Sequence, residues 1–308
     1  VIEIVTVGWL TIDDIVLPDG SCEQGVLGGG ALYSAVGAAI WNDRVGVHSV
    51  TGQKYLDDVV ARIDAFGLAT LGINAIAGNG LELWLLHESQ DEKQQVPKLA
   101  SSTAAEMDDG RAPLPAEWRR ARGVHIAPQS PAGSFANIAA LAALHPRPIV
   151  TMDLLSDAYV DAAAYRDPAF LDRLDAFLPS EAEITRIWNP TSLPGWIAAQ
   201  ASQRGCHVAA KLGSAGSLIC AAGTAEVLRV PAYPTAVVDS TGAGDAYCGG
   251  FLAGLVDGRP PVECTAMGTV SASFVIEARG ALATRRPDPG TRDERLRRVL
   301  TSVQPHHG

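Results

Sequence analysis

Short apolar runs alternate with stretches of helical spacing along most of this chain, and that alternation limits its fold more than any other feature. β-Rich runs lie at 2–8 (IEIVTVG), 45–50, 123–127, 149–153 and 208–212; helical patterns lie at 30–42, 55–66, 134–144, 169–177 and 192–204. Apolar strands that alternate with helices predict βαβ units and a parallel sheet covered on both faces. The last third changes character, with a hairpin pattern at 217–221 and 226–230 and two long helical patterns at about 243–257 and 262–278. Two stretches, 12–27 and about 74–100, break the rhythm with alternating or polar strands and predict a small accessory sheet. A loop at 285–293 precedes a final basic helix, and 308 residues do not force a second domain.

Charge and cysteine usage exclude several classes. Lys and Arg number 24 against 34 Asp and Glu, a formal charge of −10, which is a poor footing for DNA or RNA as partner. The five cysteines are scattered, odd in number and without a C-x-x-C pair, the pattern of reduced thiols and not of a disulfide frame or zinc site. The start, VIEIVTVGWL, lacks the features of a signal peptide, and no apolar run reaches the roughly 18 residues of a membrane span. A cytoplasmic location is expected. Neither a G-x-x-x-x-G-K-[ST] loop nor a G-x-G-x-x-G after the first strand is present, so a nucleotide site must be built in another way.

The chemistry concentrates in DSTGAGDAYCGGFLAGL, residues 239–255. Gly242, Ala243 and Gly244 are small and precede a helical pattern that begins near Asp245. Such a start lets backbone amides converge on an anion, helped by the helix dipole. Asp245 beside that pocket has two uses: charge complementarity at a helix start, or proton abstraction from an attacking hydroxyl. The glycines that follow cost roughly 1 kcal/mol each in a helix, which makes sense if the helix packs very closely on a sheet or passes near a ligand.

This segment resembles the signature of the ribokinase, or phosphofructokinase-B, family, D-T-x-G-A-G-D with an aromatic two residues on, where Tyr247 stands. The resemblance implies a three-layer α/β/α ribokinase-like fold with a mostly parallel sheet and a small β lid from 12–27 and 74–100. It implies an ATP-dependent carbohydrate kinase in which Asp245 is the base and the amides of Gly242, Ala243 and Gly244 form an anion hole. Asp239 and Thr241 match positions that in many members help bind a monovalent cation such as potassium. KLGSAGS at 211–217 resembles the loop that lines the nucleotide phosphates, implicating Lys211, Gly213 and Gly216; its other reading is an ordinary turn. LPSEAEI at 178–184 resembles the family's N-x-x-E segment, with Glu183 as organiser of magnesium and Ser180 in place of Asn; a Glu there is equally a helix cap. ARGALAT at 278–284 resembles the loop that closes the cation and adenine side.

The N-terminal half resembles the acceptor-binding half of the same family. Asp13 falls where members hydrogen-bond sugar hydroxyls, and a one-residue offset would exchange it with Asp14. Gly28 and Gly29 open the segment that cradles the acceptor, but Tyr33 replaces its usual Asn, and Gln129 stands near a position that is Glu in ribokinase. Tyr33 stacks on a ligand ring or packs in the core; both readings stand. The implied acceptor is a small sugar, with a nucleoside as alternative and a ligand-binding protein without turnover as a third reading. A dinucleotide-dependent oxidoreductase is disfavoured by the missing glycine fingerprint. Lids of this family often pair between subunits, which implies a homodimer.

Overall fold

The first apolar run becomes β1 (Ile4–Val7), followed by β2 (Thr11–Val16), β3 (Cys22–Gly28), α1 (Gly30–Ala39), β4 (Val45–Gly52), α2 (Leu56–Phe66) and β5 (Ala69–Ile76). Next come β6 (Leu81–His87), β7 (Lys93–Pro97), α3 (Ala104–Asp109), β8 (Gly123–Ile126), α4 (Pro131–Ala142), β9 (Ile149–Met152) and β10 (Ala176–Phe177). The remainder is α5 (Glu181–Trp188), α6 (Leu193–Arg204), β11 (His207–Lys211), β12 (Ser217–Cys220), β13 (Val227–Val230), α7 (Ala243–Val256), α8 (Pro261–Val275), α9 (Pro289–Leu300) and β14 (Gln304–Pro305). The computed structural model describes residues 1–17, 19–87, 93–155 and 162–306. Part of the expected lid, 88–92, lies outside them.

The large sheet has the order β14-β13-β12-β11-β10-β9-β8-β1-β4-β5. Every pairing from β11 through β10, β9, β8, β1 and β4 to β5 is parallel, and the end β11-β12-β13-β14 is antiparallel. Alternation along each strand separates the two faces. Val5, Val7, Val124, Ile126, Met152 and Phe177 pack with residues of α4, α5 and α6 on one side. Ile4, Val45 and Val47 pack with α1, α2, α7 and α8 on the other, continued by Ala176, Ala209 and Ile219. The result is the three-layer arrangement with a mainly parallel sheet. No helix among the described residues is long and apolar enough to cross a membrane.

A separate sheet, β3-β2-β6-β7, stands over the carboxyl ends of the parallel strands. Residues 74–76 of the expected lid belong instead to β5, which pairs with β4 at the edge of the large sheet. The stretch 169–177 is also not one helix. Asp167 caps a short 3₁₀ segment, Pro168–Arg173, and the chain then enters the two-residue strand β10. A strand that short carries no periodicity of its own, so the apolar positions around it mimic a helix.

Helix starts follow local chemistry. Ser130, Ser192 and Asp288 each accept a backbone N–H in the first turn of α4, α6 and α9, each with proline at the helix start. α9 therefore begins at Pro289, four residues before the expected loop ends.

Candidate active site

A cavity of about 370 Å³ lies between the carboxyl ends of β1, β8, β9, β10 and β11 and the inner face of the small sheet. Ligands of open α/β sheets bind in this location. One end is walled by Trp9, Thr11, Asp13, Gly29, Gly30, Tyr33 and the lid leucines Leu81, Leu83 and Leu85. The other end is walled by Asp153, Ser180, Glu183, Lys211, Gly213, Thr241, Gly242, Gly244 and Asp245.

At the first end, strand alternation decides between the two neighbouring aspartates. Asp13 shares a face of β2 with Thr11, whose hydroxyl donates to Asp13 Oδ2 at 2.9 Å. Asp14 turns to the opposite face, where Lys98 Nζ lies 2.6 Å from its carboxylate and the Gly25 amide donates at 2.9 Å. Gly28 does not line the cavity; a methyl group there would collide with the Asp13 carboxylate, so its role is to leave that side chain room. Trp9 is held by its indole N–H, which donates to Asp108 Oδ1 at 2.8 Å, and Ser130 donates to the other oxygen of Asp108. Gln129 is fully buried behind this wall, accepts a long bond of 3.4 Å from Asn137, and is not among the lining residues.

Tyr33 joins the two ends. It is 3% exposed, and its ring occupies the space that a side chain at Gly242 would need. Burial, followed by the nearby carboxylates of Asp239, Asp13 and Asp245, pushes its phenol well above the ordinary range. Tyr33 is thus a packed core residue that also borders the cavity.

At the second end Gly242 precedes α7 with φ of 74°, a left-handed conformation that Gly adopts without penalty. The Ala243 amide turns back to the Ser240 carbonyl at 3.3 Å, while Gly242 and Gly244 line the cavity at the helix start. Asp245 stands in the first turn of α7, close enough to Gly30 that a methyl group there would meet its Oδ1 at 2.9 Å. Asp239 is almost fully buried behind the turn and accepts the Thr241 amide at 2.9 Å. The Thr241 hydroxyl oxygen is buried without a partner among the described residues.

Glu183 is both a cap and a wall of the cavity. Ser180 accepts the Glu183 amide at 3.2 Å, and the Glu183 carboxylate accepts the Ser180 amide at 2.6 Å. Burial, with Asp153 nearby, pushes the Glu183 carboxyl up to about 7. Lys211, at the end of β11, forms an ion pair with Asp153, which follows β9 directly. Gly213 lines the cavity; Gly216, Ala243 and Asp239 lie behind it. The residues that sequence reasoning passed over are Asp153, Trp9, Leu81 and Leu83; Leu85, expected with Trp84 and Leu86 to serve subunit pairing, faces the cavity instead. For Asp153 a signal existed: it closes the apolar run IVTMD, and the ends of parallel strands are where sites form.

A family model described as pfkB family carbohydrate kinase matches residues 14–288. A cytidine kinase of Thermococcus kodakarensis is 26% identical over 288 residues, spanning 91% of this chain and 98% of that protein. Among solved structures, the ribokinase of Giardia lamblia superimposes with a TM-score of 0.78 at 18% identity, covering 96% of this chain and 99% of the other. The ribokinase of Arabidopsis thaliana complexed with ribose and ATP gives a TM-score of 0.72 at 20% identity, covering 96% and 98%.

Proposed function

The chain belongs to the pfkB family of carbohydrate kinases and is thereby an ATP-dependent kinase, and from that premise we propose that it transfers the γ-phosphoryl group of ATP to a hydroxyl of a small sugar or sugar-like acceptor, with Asp245 as general base. One observation carries this reading. Asp245 stands between Gly30, on the acceptor wall, and the Gly242–Gly244 turn, in one cavity that has Asp13 at one end and Lys211 at the other.

In this mechanism Asp13, backed by Thr11, binds an acceptor hydroxyl and fixes its orientation. Asp245 takes the proton of the attacking hydroxyl. Amides at the start of α7 stabilise charge on the transferring group, and Gly213 lets the 213–216 turn approach the nucleotide phosphates. The lid leucines cover the acceptor and exclude water. Glu183 suits magnesium, a hard cation usually held by one or two carboxylates and the substrate phosphates. Held there, the ion would supply charge to shield the phosphate oxygens. Asp239 and the unpartnered Thr241 hydroxyl suit a monovalent cation such as potassium.

A nucleoside is the second reading of the acceptor. The aromatic faces of Trp9 and Tyr33 and the leucine row Leu81, Leu83 and Leu85 supply an apolar wall suited to a base. The full-length likeness to a cytidine kinase supports it. We also propose that two copies pair through the outer face of the lid, where Trp84 and Leu86 are half-buried and Val96 is 40% exposed. A monomer in light scattering at working concentration would dismiss that pairing.

The decisive experiment is coupled ADP release with Mg-ATP against pentoses, hexoses, sugar acids and nucleosides, with and without potassium. Turnover with one acceptor, lost by at least about a hundredfold in Asp245→Asn with ADP binding kept, is the expected result. An active Asp245→Asn variant removes Asp245 from the role of base.

A further inference from the structure

The ion pair of Lys211 and Asp153 lies under the first turn of α7, with side-chain exposures of 12% and 3%. Stability does not account for it, because taking two charges out of water offsets most or all of their attraction. An ammonium has three N–H donors. One goes to Asp153, and a second faces the Cys248 thiol at 3.7 Å, a weak acceptor. The third has no protein partner among the described residues, and Lys211 lines the cavity directly beside Gly244, where a methyl group would stand 3.4 Å from Nζ.

Two positive features thus converge on one point, the start of α7 and the Lys211 ammonium, and an anion at that point satisfies both. Burial works against the charge on Lys211, but the paired Asp153 carboxylate outweighs it and holds the amine protonated well above the ordinary range. The Asp153 carboxylate is in turn fixed by the Leu154 amide at 2.9 Å, so the ammonium is aimed by a group that is itself anchored. A cation held this way needs no reorganisation when charge develops in front of it.

Resting on the kinase reading of this cavity, we propose that Lys211 is a catalytic residue that donates to the transferring γ-phosphoryl group, and that Asp153 is the residue that positions it. In the step it serves, the acceptor oxygen forms a bond to phosphorus and the bond between phosphorus and the β,γ-bridging oxygen breaks. The electron pair leaves with ADP, and the acceptor proton goes to Asp245. Lys211 neither gains nor loses a proton; it offsets the charge on the phosphoryl oxygens throughout.

The test compares affinities for Mg-ADP and for Mg-AMP-PNP, which carries the third phosphoryl group, by titration calorimetry on the full chain. The double variant Lys211→Met/Asp153→Asn removes both charges together and so leaves no lone buried ion. It is expected to melt near the wild type and bind ADP within about twofold of it, but to lose AMP-PNP affinity by roughly tenfold or more, the effect of one charge-assisted hydrogen bond. Lys211→Arg, which keeps the charge, is expected to retain a preference for AMP-PNP over ADP and stands in if the double variant does not fold. Unchanged AMP-PNP affinity in the folded double variant, or no preference in Lys211→Arg, overturns the proposal. So does an equal loss for both nucleotides, which would put Lys211 on the whole nucleotide. A wild type that binds neither nucleotide fails the kinase reading itself, a result distinct from all of these.

Discussion

His125 and His48 are titratable groups kept neutral by the interior. His125 is fully buried, with Nδ1 2.9 Å from the Thr151 hydroxyl, and burial followed by the Lys211 charge pushes it down to about 3. His48, with Nε2 2.9 Å from the Ala112 carbonyl, is pushed down to about 4, again mainly by burial. Both values lie below the unfolded one, so the unfolded chain binds more protons as pH falls below about 6.5 and stability is lost in that direction. From pH 7 to 5 each histidine should cost about 2 kcal/mol. Glu183, raised to about 7, acts with the opposite sign in the same window, since the folded state takes up its proton first. The measurement is therefore the difference between wild type and His125→Gln in urea unfolding at the two pH values. His125→Gln is expected to be less acid-sensitive by about 2 kcal/mol; an identical loss in both proteins would mean that His125 is charged or solvated. At this scale the sequence was legible where a role depends on neighbours in the chain. The start of α7, with Gly242 and Asp245, is a contiguous word, and so is the Ser180–Glu183 cap. Asp153 and Lys211 meet only through the packing of β9, β10 and β11, and nothing in the local sequence of either announces the other.

Helix α7 owes its glycines to two neighbours. Methyl groups at Gly249 and Gly37 would collide with the backbone of Ser34 and Ala246 respectively, so α1 and α7 cross with their backbones in contact. On the other side Gly250 faces Ser271 and Met267 of α8. The glycine-rich pattern pointed to close packing on a sheet or to a ligand; the close neighbours are instead two helices, α1 and α8, while the first turn lines the candidate cavity. This contact also couples the two ends of the cavity, because α1 carries Tyr33 and follows Gly29, whereas α7 carries Asp245. Gly249→Ala must part the helices. It is expected to destabilise the fold by about 1–3 kcal/mol and to lower turnover further than the melting temperature explains. Wild-type stability in that variant would show that α1 and α7 separate freely. Elements with a strong period or a full capping signal were foreseen within a few residues, as α2, α6 and the β12–β13 hairpin show. Those without one, β5 at the sheet edge and two-residue β10, were missed or merged, because partners distant in sequence define them.

Across the whole molecule the two ends of the cavity belong to parts of different construction. The phosphate end is built from the ends of β9, β10 and β11 and the start of α7, all within the three-layer body. The acceptor end depends on the small sheet, which meets the body through Trp9, Val50 and Met107 packed with Ile15, Leu81, Leu83 and Leu85. Nucleotide should therefore bind without help from the lid, while the acceptor should need it. Mg-ADP at about a hundred times its Kd stabilises the folded state by about 2.7 kcal/mol, which for a chain of this length raises Tm by roughly 4 °C. Leu83→Ala empties part of the lid's inner face and is expected to lower the starting Tm. The shift produced by Mg-ADP at the same saturation should persist in the variant, while the further shift produced by the acceptor that the wild type turns over should shrink or vanish. Loss of both shifts together would mean that the small sheet takes part in holding the nucleotide. Retention of both would mean that the acceptor is gripped without the leucine row, by Asp13, Tyr33 and the loop at Gly29, and that the row serves only to exclude water.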